Sequence, residues 1–390
     1  MQIRRCATLF FELRDDATFD LAQLLAGGDG LRRGTRWLAL APHLDAEVEV
    51  TTAERDWLSQ LSPTRWQPFD PLQPPPCLER LIEQGLAISD QPEHATHRQH
   101  DERVQQQRWW PLAALWHRFA RWKGEDSVAT MEKHGLTTAE GMVERGVGGV
   151  SARITLPRAT PGSFDDLLSR RVTCRNFDTQ RALSGEVLSH MLQRSVMANA
   201  RVAVGQDTAF LKKPVPSGGS LHPTETYLLI QRVEGMSSGL YHYRPIDHAL
   251  QPLALPPEPL PVVARRALSG QHWFAEAPVL LILVPRFLRS FWKYRNHAKA
   301  YRAMILDVGH IAQTLYLSAT DLGLGAFVTS AINEVDIEQA LGLDGLQDGP
   351  LAICGFGWRA EEMTNTELDP DGAVWSSVRD QEISKDLEQH

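Results

Sequence analysis

The run Val279-Leu-Leu-Ile-Leu-Val284, set between Pro278 and Pro285, is the feature that most limits what this chain can fold into. Side chains of a strand alternate between its two faces, so a strand that is apolar throughout needs cover on both sides and belongs in a sheet's interior. Thr226-Tyr-Leu-Leu-Ile-Gln-Arg-Val233 and Leu351-Ala-Ile-Cys-Gly-Phe356 have the same character. From Tyr301 to Leu322, Met304, Ile305, Val308, Ile311, Ala312, Leu315 and Ala319 recur at helical spacing, and Gly323 follows as a stop. That segment predicts a central helix with apolar residues on two sides. Few strands, several helices and one long helix argue for a layered α+β fold rather than a doubly wound one.

At 390 residues, with 43% hydrophobic and 23% charged side chains, the chain is of globular composition and long enough for two or three domains. Forty basic against 48 acidic residues leave a net charge of −8, without the basic field that a nucleic-acid partner requires. Its apolar runs fall far short of the about 20 residues that cross a bilayer, so no membrane association is expected. The N-terminus carries no long apolar stretch or small-residue cleavage site, which points to a cytoplasmic protein. Cys6, Cys77, Cys174 and Cys354 form no CxxC pair, and His94, His97 and His100 stand in a polar stretch without matching ligands. Neither a disulfide framework nor a metal is therefore expected. Walker A and HExxH patterns do not occur, which removes the common NTPase and zincin classes.

Residues 1–100 suggest a small module. Strand-formers occupy 3–14 and 46–51; Thr51 and Glu54 have capping-box spacing ahead of Trp57, Leu58 and Leu61; a proline-rich turn runs from Pro68 to Pro76; Leu78, Leu81 and Ile82 share a helical face that stops at Gly85. With Leu86-Ala-Ile88 as a wing strand, the pattern resembles a winged helix, used either for peptide recognition or as a structural cap. The polar stretch 91–107 reads as a linker, with a boundary near residue 100. A helical connection over 101–162 holds the aromatic amphipathic segment Trp109–Trp122 and a stretch, 141–162, with five glycines and two prolines. The block 163–365 carries the chemistry, and 366–390 is a tail.

Within that block, Arg171, Thr173 and Arg175 alternate and offer two guanidiniums and a hydroxyl to one anionic ligand, although alone they also read as a solvated basic run. Pro214-Val-Pro-Ser-Gly-Gly-Ser-Leu-His-Pro-Thr-Glu225 places adjacent glycines where backbone can approach a planar ligand, or simply make a tight turn. Asp321-Leu-Gly-Leu-Gly-Ala-Phe-Val-Thr-Ser-Ala331 leads out of the long helix, and Gly355-Phe-Gly-Trp-Arg359 ends a strand with a cation.

Taken in this order, together with Gly239-Leu-Tyr-His-Tyr243, His248-Ala-Leu, Lys293-Tyr294, Tyr301-Arg302 and Asp307-Val-Gly-His-Ile-Ala-Gln313, these motifs resemble the nitroreductase-like flavoproteins. Within them they resemble the SagB-type dehydrogenases of ribosomal-peptide maturation, over roughly residues 109–360. The resemblance implies a nitroreductase-like FMN-binding domain behind a winged-helix-like module. Arg171, Thr173 and Arg175 would hold the FMN phosphate and pyrimidine edge, with Arg359 assisting. Pro216, Ser217, Gly218 and Gly219 would line the isoalloxazine, and Thr329 and Ser330 would bring backbone groups near N5. Lys293 and Tyr294, which by themselves read as surface residues, would take the proton from the substrate; His222 and His310 are secondary candidates. The implied reaction is oxidation of a modified precursor peptide, azoline to azole, by a homodimer working with a cyclodehydratase or another maturation enzyme. Two alternatives stand beside it: an NAD(P)H-dependent reductase of nitro, quinone or dehydroamino-acid substrates, and a non-catalytic maturation scaffold.

Overall fold

A computed structural model describes residues 1–69, 76–134, 154–203, 209–295 and 297–375. They form two compact units, the first from Met1–Arg121 with Phe287–Arg302, the second from Trp122 to Arg286 and from Ala303 onward.

In the first unit, β1 (Gln2–Arg5), β5 (Gln67–Pro68) and β6 (Ala87–Ser89) make one sheet in the order β5-β1-β6; β2 (Phe10–Phe19), β3 (Leu31–Leu40) and β4 (Val48–Val50) make another. Its helices are α1 (Leu21–Leu25), α2 (Thr52–Gln60), α3 (Leu78–Glu83), α4 (Ala95–Gln106) and α5 (Pro111–Phe119). Helix α2 begins where the sequence indicates. The Thr51 hydroxyl accepts from the Glu54 amide at 3.2 Å, and the Glu54 carboxylate accepts from the Thr51 amide at 2.8 Å. Gly85, at φ +72°, ends α3 in the left-handed conformation that glycine adopts without steric cost.

Three expectations change. The strand over 3–14 is split into β1 and β2, and β2 pairs with β3 across the intervening α1, ahead of α2 and α3. Leu86-Ala-Ile88 does contribute β6, but β6 pairs with β1 and leads into α4 rather than into a wing. The linker expected over 91–107 is largely helix α4. Its buried residues are Asp101 and Val104, so a carboxylate stands where apolar periodicity would have signalled a helix. The aromatic segment at Trp109 finds its partner surface inside this unit: the Trp109 ring lies 4.7 Å from Phe287 and 4.8 Å from Phe291, and His117 Nδ1 lies 2.8 Å from the Tyr301 hydroxyl.

The second unit contains α6 (Ser127–His134), α7 (Ser163–Ser169), α8 (Gly185–Ser195), α9 (Leu260–Ala267) and α10 (His272–Ala275). After α11 (Phe287–Phe291), which belongs to the first unit, follow α12 (Ala300–Asp321) and α13 (Glu334–Leu341). Besides the pair β7 (Ala200–Ala203) and β8 (Ala209–Lys212), its strands are β9 (Thr224–Ile230), β10 (Gly239–Arg244), β11 (Ala249–Pro252), β12 (Val279–Pro285), β13 (Gly325–Thr329) and β14 (Ala352–Gly357). These six form an antiparallel sheet in the order β11-β10-β9-β12-β14-β13. Every residue of β12 is buried, with Leu281 opposite Leu228 on one side and Cys354 on the other. Side chains of α8 and α12 cover one face of the sheet, and those of α9, α10 and α13 cover the other. The result is the α+β layering that the apolar runs require.

Helix α12 buries Val308, Ile311, Leu315 and Ala319 against the sheet. On its far side Leu306 is 57% exposed, next to exposed Gly309, His310 and Gln313. Residues 70–75 of the proline-rich turn, 141–153 of the glycine-rich stretch and 376–390 of the tail lie outside the described residues.

Candidate functional site

Arg171, Thr173 and Arg175 lie on an extended segment that joins the sheet edge through a parallel bridge from Thr173 to Ala326, with the Cys174 amide donating to the Ala326 carbonyl at 2.8 Å. Alternation then sorts the side chains: Val172, Cys174 and Asn176 are buried, while Arg171, Thr173 and Arg175 are half-buried on the other side. Burial pushes the Cys174 thiol up to about 12, so it stays protonated. Thr173 Oγ1 meets the Tyr316 hydroxyl at 3.0 Å, the same hydroxyl accepts from the Val328 amide at 3.1 Å, and the Arg171 guanidinium stands 5.3 Å above the Tyr316 ring. Burial raises the Tyr316 phenol, which keeps the hydroxyl neutral. Thr329 ends β13, with its hydroxyl donating to Gln271 at 3.2 Å and accepting from the Ala331 amide; Ser330 is exposed beside it. Tyr316 therefore gathers Arg171, Thr173 and the approach to Thr329 and Ser330. No sequence motif had marked it.

Arg359 lies on the buried side of the same segment. Its Nη2 donates to the Val172 carbonyl at 2.8 Å and its Nη1 to the Glu367 carboxylate. Gly325 makes this close packing possible, since a Cβ there would lie 2.5 Å from Cys174 Sγ and 3.0 Å from Arg359 Cγ. Arg175 donates to the Thr366 carbonyl at 3.1 Å. Residues 364–375, expected as the end of a domain and the start of a tail, are thus packed against the Arg171–Asn176 segment.

The loop Pro216–Gly219 is anchored elsewhere on α12. Ser217 Oγ donates to Asp307 at 2.5 Å, the Gly218 amide donates to the same buried carboxylate at 2.9 Å, and Ser217 Oγ accepts from the His222 amide at 2.9 Å. Gly219 has φ +64°, and Ser220 and His222 also have positive φ, so three residues of this turn hold a left-handed conformation. Pro216 and Gly219 are exposed. At about 100° per residue, the nine positions from Asp307 to Tyr316 put these anchors on opposite flanks of α12. The exposed stripe at Leu306 runs between them.

Lys293 and Tyr294 belong to the first unit. Lys293 is exposed, with its Nζ 5.7 Å from the Tyr294 ring centroid; Tyr294 is half-buried. His310 is exposed on α12. In the two motifs quoted around β9 and β10, Glu225 binds His242 Nε2 at 3.0 Å and Arg286 Nε at 2.8 Å, and Tyr227 stacks on His242 at 4.6 Å. Burial alone would raise the Glu225 carboxyl, but the His242 hydrogen bond and the Arg286 charge outweigh it and hold the carboxyl below its ordinary value. The donor set fits a flavin mononucleotide: guanidiniums at Arg171 and Arg175 with a hydroxyl between them suit a phosphate and a polar ring edge, and a glycine turn suits a planar ring.

The profile described as "Nitroreductase family" matches residues 168–358. A protein of Methanocaldococcus jannaschii named as a nitroreductase is 30% identical over 213 residues, which is 55% of this chain and 100% of that protein. The trifolitoxin-processing protein TfxB of Rhizobium leguminosarum bv. trifolii is 31% identical over 169 residues, 42% of this chain and 44% of its own length. The microcin B17-processing protein McbC of Escherichia coli is 27% identical over 192 residues, 47% of this chain and 69% of its own. Among solved structures, the E. coli microcin synthetase McbBCD complex with truncated pro-MccB17 bound superposes with a TM-score of 0.44 at 21% identity, over 63% of this chain and 91% of that one. With the motif order, the layered sheet and a relative matched over its whole length, the chain belongs to the nitroreductase family.

Proposed function

We propose that the protein is an FMN-dependent dehydrogenase that oxidises a modified ribosomal peptide, azoline to azole. The observation that carries the reading is the convergence of Arg171, Thr173 and the end of β13 on Tyr316, in a family member related to two peptide-processing proteins. Arg171 and Arg175 would hold the phosphate, Thr173 the pyrimidine edge, and Pro216–Gly219 the ring, with backbone at Thr329 and Ser330 near N5. Bound FMN supplies the hydride acceptor. Azoline aromatisation removes a proton and a hydride, and Lys293 Nζ, with Tyr294 beside it, is the base assigned to the proton.

A homodimer accounts for the exposed stripe of α12. The two ring-and-phosphate anchors flank Leu306 on opposite sides, so a second copy packed on that stripe would set one chain's Pro216–Gly219 loop beside the other's Arg171–Arg175 segment. Leu306→Asp is expected to convert a dimer into a monomer by analytical ultracentrifugation, and a wild-type monomer would remove this part of the reading. Residues 1–100 would serve the precursor peptide or a partner maturation enzyme.

The full-length match to a protein named as a nitroreductase favours a second reading, in which NAD(P)H reduces the flavin and a small electron acceptor is then reduced. The test is the visible spectrum after FMN reconstitution, followed anaerobically. Bleaching by an azoline-bearing peptide but not by NADPH is expected. Bleaching by NADPH alone would move the function to the reductase, and failure to take up flavin would overturn both.

A further inference from the structure

Glu367 is the most heavily bonded carboxylate near the candidate site. Its side chain is fully buried, and it accepts from the backbone amides of Arg175 and Asn176 (3.0 Å for the latter), from Asn176 Nδ2 at 2.8 Å, from Arg359 Nη1 and from Trp375 Nε1 at 2.9 Å. Asn176 in turn accepts, through Oδ1, from the Thr364 amide at 2.8 Å and the Asn365 amide at 2.7 Å. Asp369 closes the segment by accepting from the amides of Ala373, Val374 and Trp375. Residues 364–375 are thus bonded to the turn that aims Arg175 and to the cation beneath Thr173.

We propose that this segment is a strap that sets affinity for the cofactor's phosphate, with Glu367 as the positioning residue. The inference rests on the flavin reading above. The carboxylate fixes the Arg175 and Asn176 backbone and, through Arg359, the Val172 carbonyl, so both ends of the Arg171–Arg175 segment are held before any ligand arrives. Arg359 then supports the phosphate site from below, through Glu367 and Val172, instead of touching the phosphate. A pre-set cradle lowers the ordering cost of binding the anion more than that of binding the ring, which meets this segment only at Thr173.

Riboflavin, which has the ring without the phosphate, separates these contributions. In full-length protein, Glu367→Gln is expected to weaken FMN binding about tenfold or more, the scale of losing a charge-assisted hydrogen bond, with a smaller loss for riboflavin, which keeps only the Thr173 contact of this segment. In the flavin-free protein the Arg175 and Asn176 amides should exchange with deuterium faster in the variant. Trp375→Phe, which leaves all charges in place, should move both readouts the same way by less, and it serves if Glu367→Gln does not fold. Equal weakening for FMN and riboflavin, or faster exchange without any loss of FMN affinity, overturns the proposal. If the wild type binds neither flavin, the flavin reading itself fails, whatever the exchange rates show.

Discussion

Two buried arginine–carboxylate pairs, Arg4–Asp101 in the first unit and Arg359–Glu367 in the second, are built alike. Each carboxylate accepts a guanidinium and at least one backbone amide from a distant stretch of chain: Ala7 at 2.8 Å for Asp101, Arg175 and Asn176 for Glu367. Their surroundings differ. Asp101 ties β1 to α4 inside a region that holds none of the residues assigned to FMN, and its remaining hydrogen bond comes from Gln105 at 3.0 Å. Glu367 has further donors in Asn176 and Trp375, and the strand it fixes carries the phosphate candidates. The same chemistry holds a fold together in one place and, in the other, fixes the segment proposed to hold the phosphate.

The sharpest way to break the comparison is Asp101→Ala. It strands the Arg4 guanidinium, whose side chain is only 4% exposed, and leaves the Ala7 amide without its acceptor. Loss of one partner from a buried pair costs about 3–5 kcal/mol. Urea unfolding should register that loss, with FMN affinity of the folded protein unchanged. A drop in FMN affinity matching that of Glu367→Gln would erase the distinction between the two pairs.

Much of the fold was legible because it is written in local or periodic signals. The capping box at Thr51 and Glu54, the stop at Gly85, the unbroken apolar runs of β9, β12 and β14 and the spacing of α12 each need only a short window of sequence. Helix α4 was illegible for the opposite reason, because its inward face is a valine and a carboxylate that only Arg4, on another element, makes intelligible. The site shows the same division. The alternation of Arg171, Thr173 and Arg175 was readable and is realised at the sheet edge. Tyr316, which looks like one more core residue of α12, and Glu367, which looks like one more acid near the chain's end, acquire roles only through contacts more than 140 positions away. Arg359, read from the resemblance as assisting at the phosphate, donates to the Val172 carbonyl and the Glu367 carboxylate, partners that no local motif announces.

A second difference between the pairs is titration. His43, 3% exposed, donates from Nε2 to the Gly85 carbonyl at 2.9 Å, and its Nδ1 faces Asp101 at 4.0 Å without a hydrogen bond. Burial lowers its pKa from 6.5 to about 4, against the pull of Asp101 and with help from the charges of His97 and His100. The folded state therefore keeps the imidazole neutral while the unfolded chain binds a proton below pH 6.5. Unfolding free energy should be flat in this contribution above that pH and fall as pH drops toward about 4. Urea midpoints for wild type and His43→Gln at about pH 7 and about pH 5 test this, with the slope smaller in the variant. Equal slopes would remove His43 from the account. The groups facing Glu367 are Cys174, whose thiol burial pushes up to about 12, Arg175, Asn176, Arg359 and Trp375, none of them a histidine, so exchange protection of the Arg175 and Asn176 amides should not follow this curve.

The smallest effect probes redundancy. Trp375→Phe removes one neutral donor from a carboxylate that keeps Arg359, Asn176 and two backbone amides, so nothing charged is left unpaired. The ring that remains still fills the buried position of Trp375, which is 8% exposed. The expected cost is about 1 kcal/mol, that of a single neutral hydrogen bond. If instead it approached the cost of Asp101→Ala, Trp375 would be the pin on which the strap depends. The comparison would then reverse, with the second pair the more fragile of the two despite its larger number of donors.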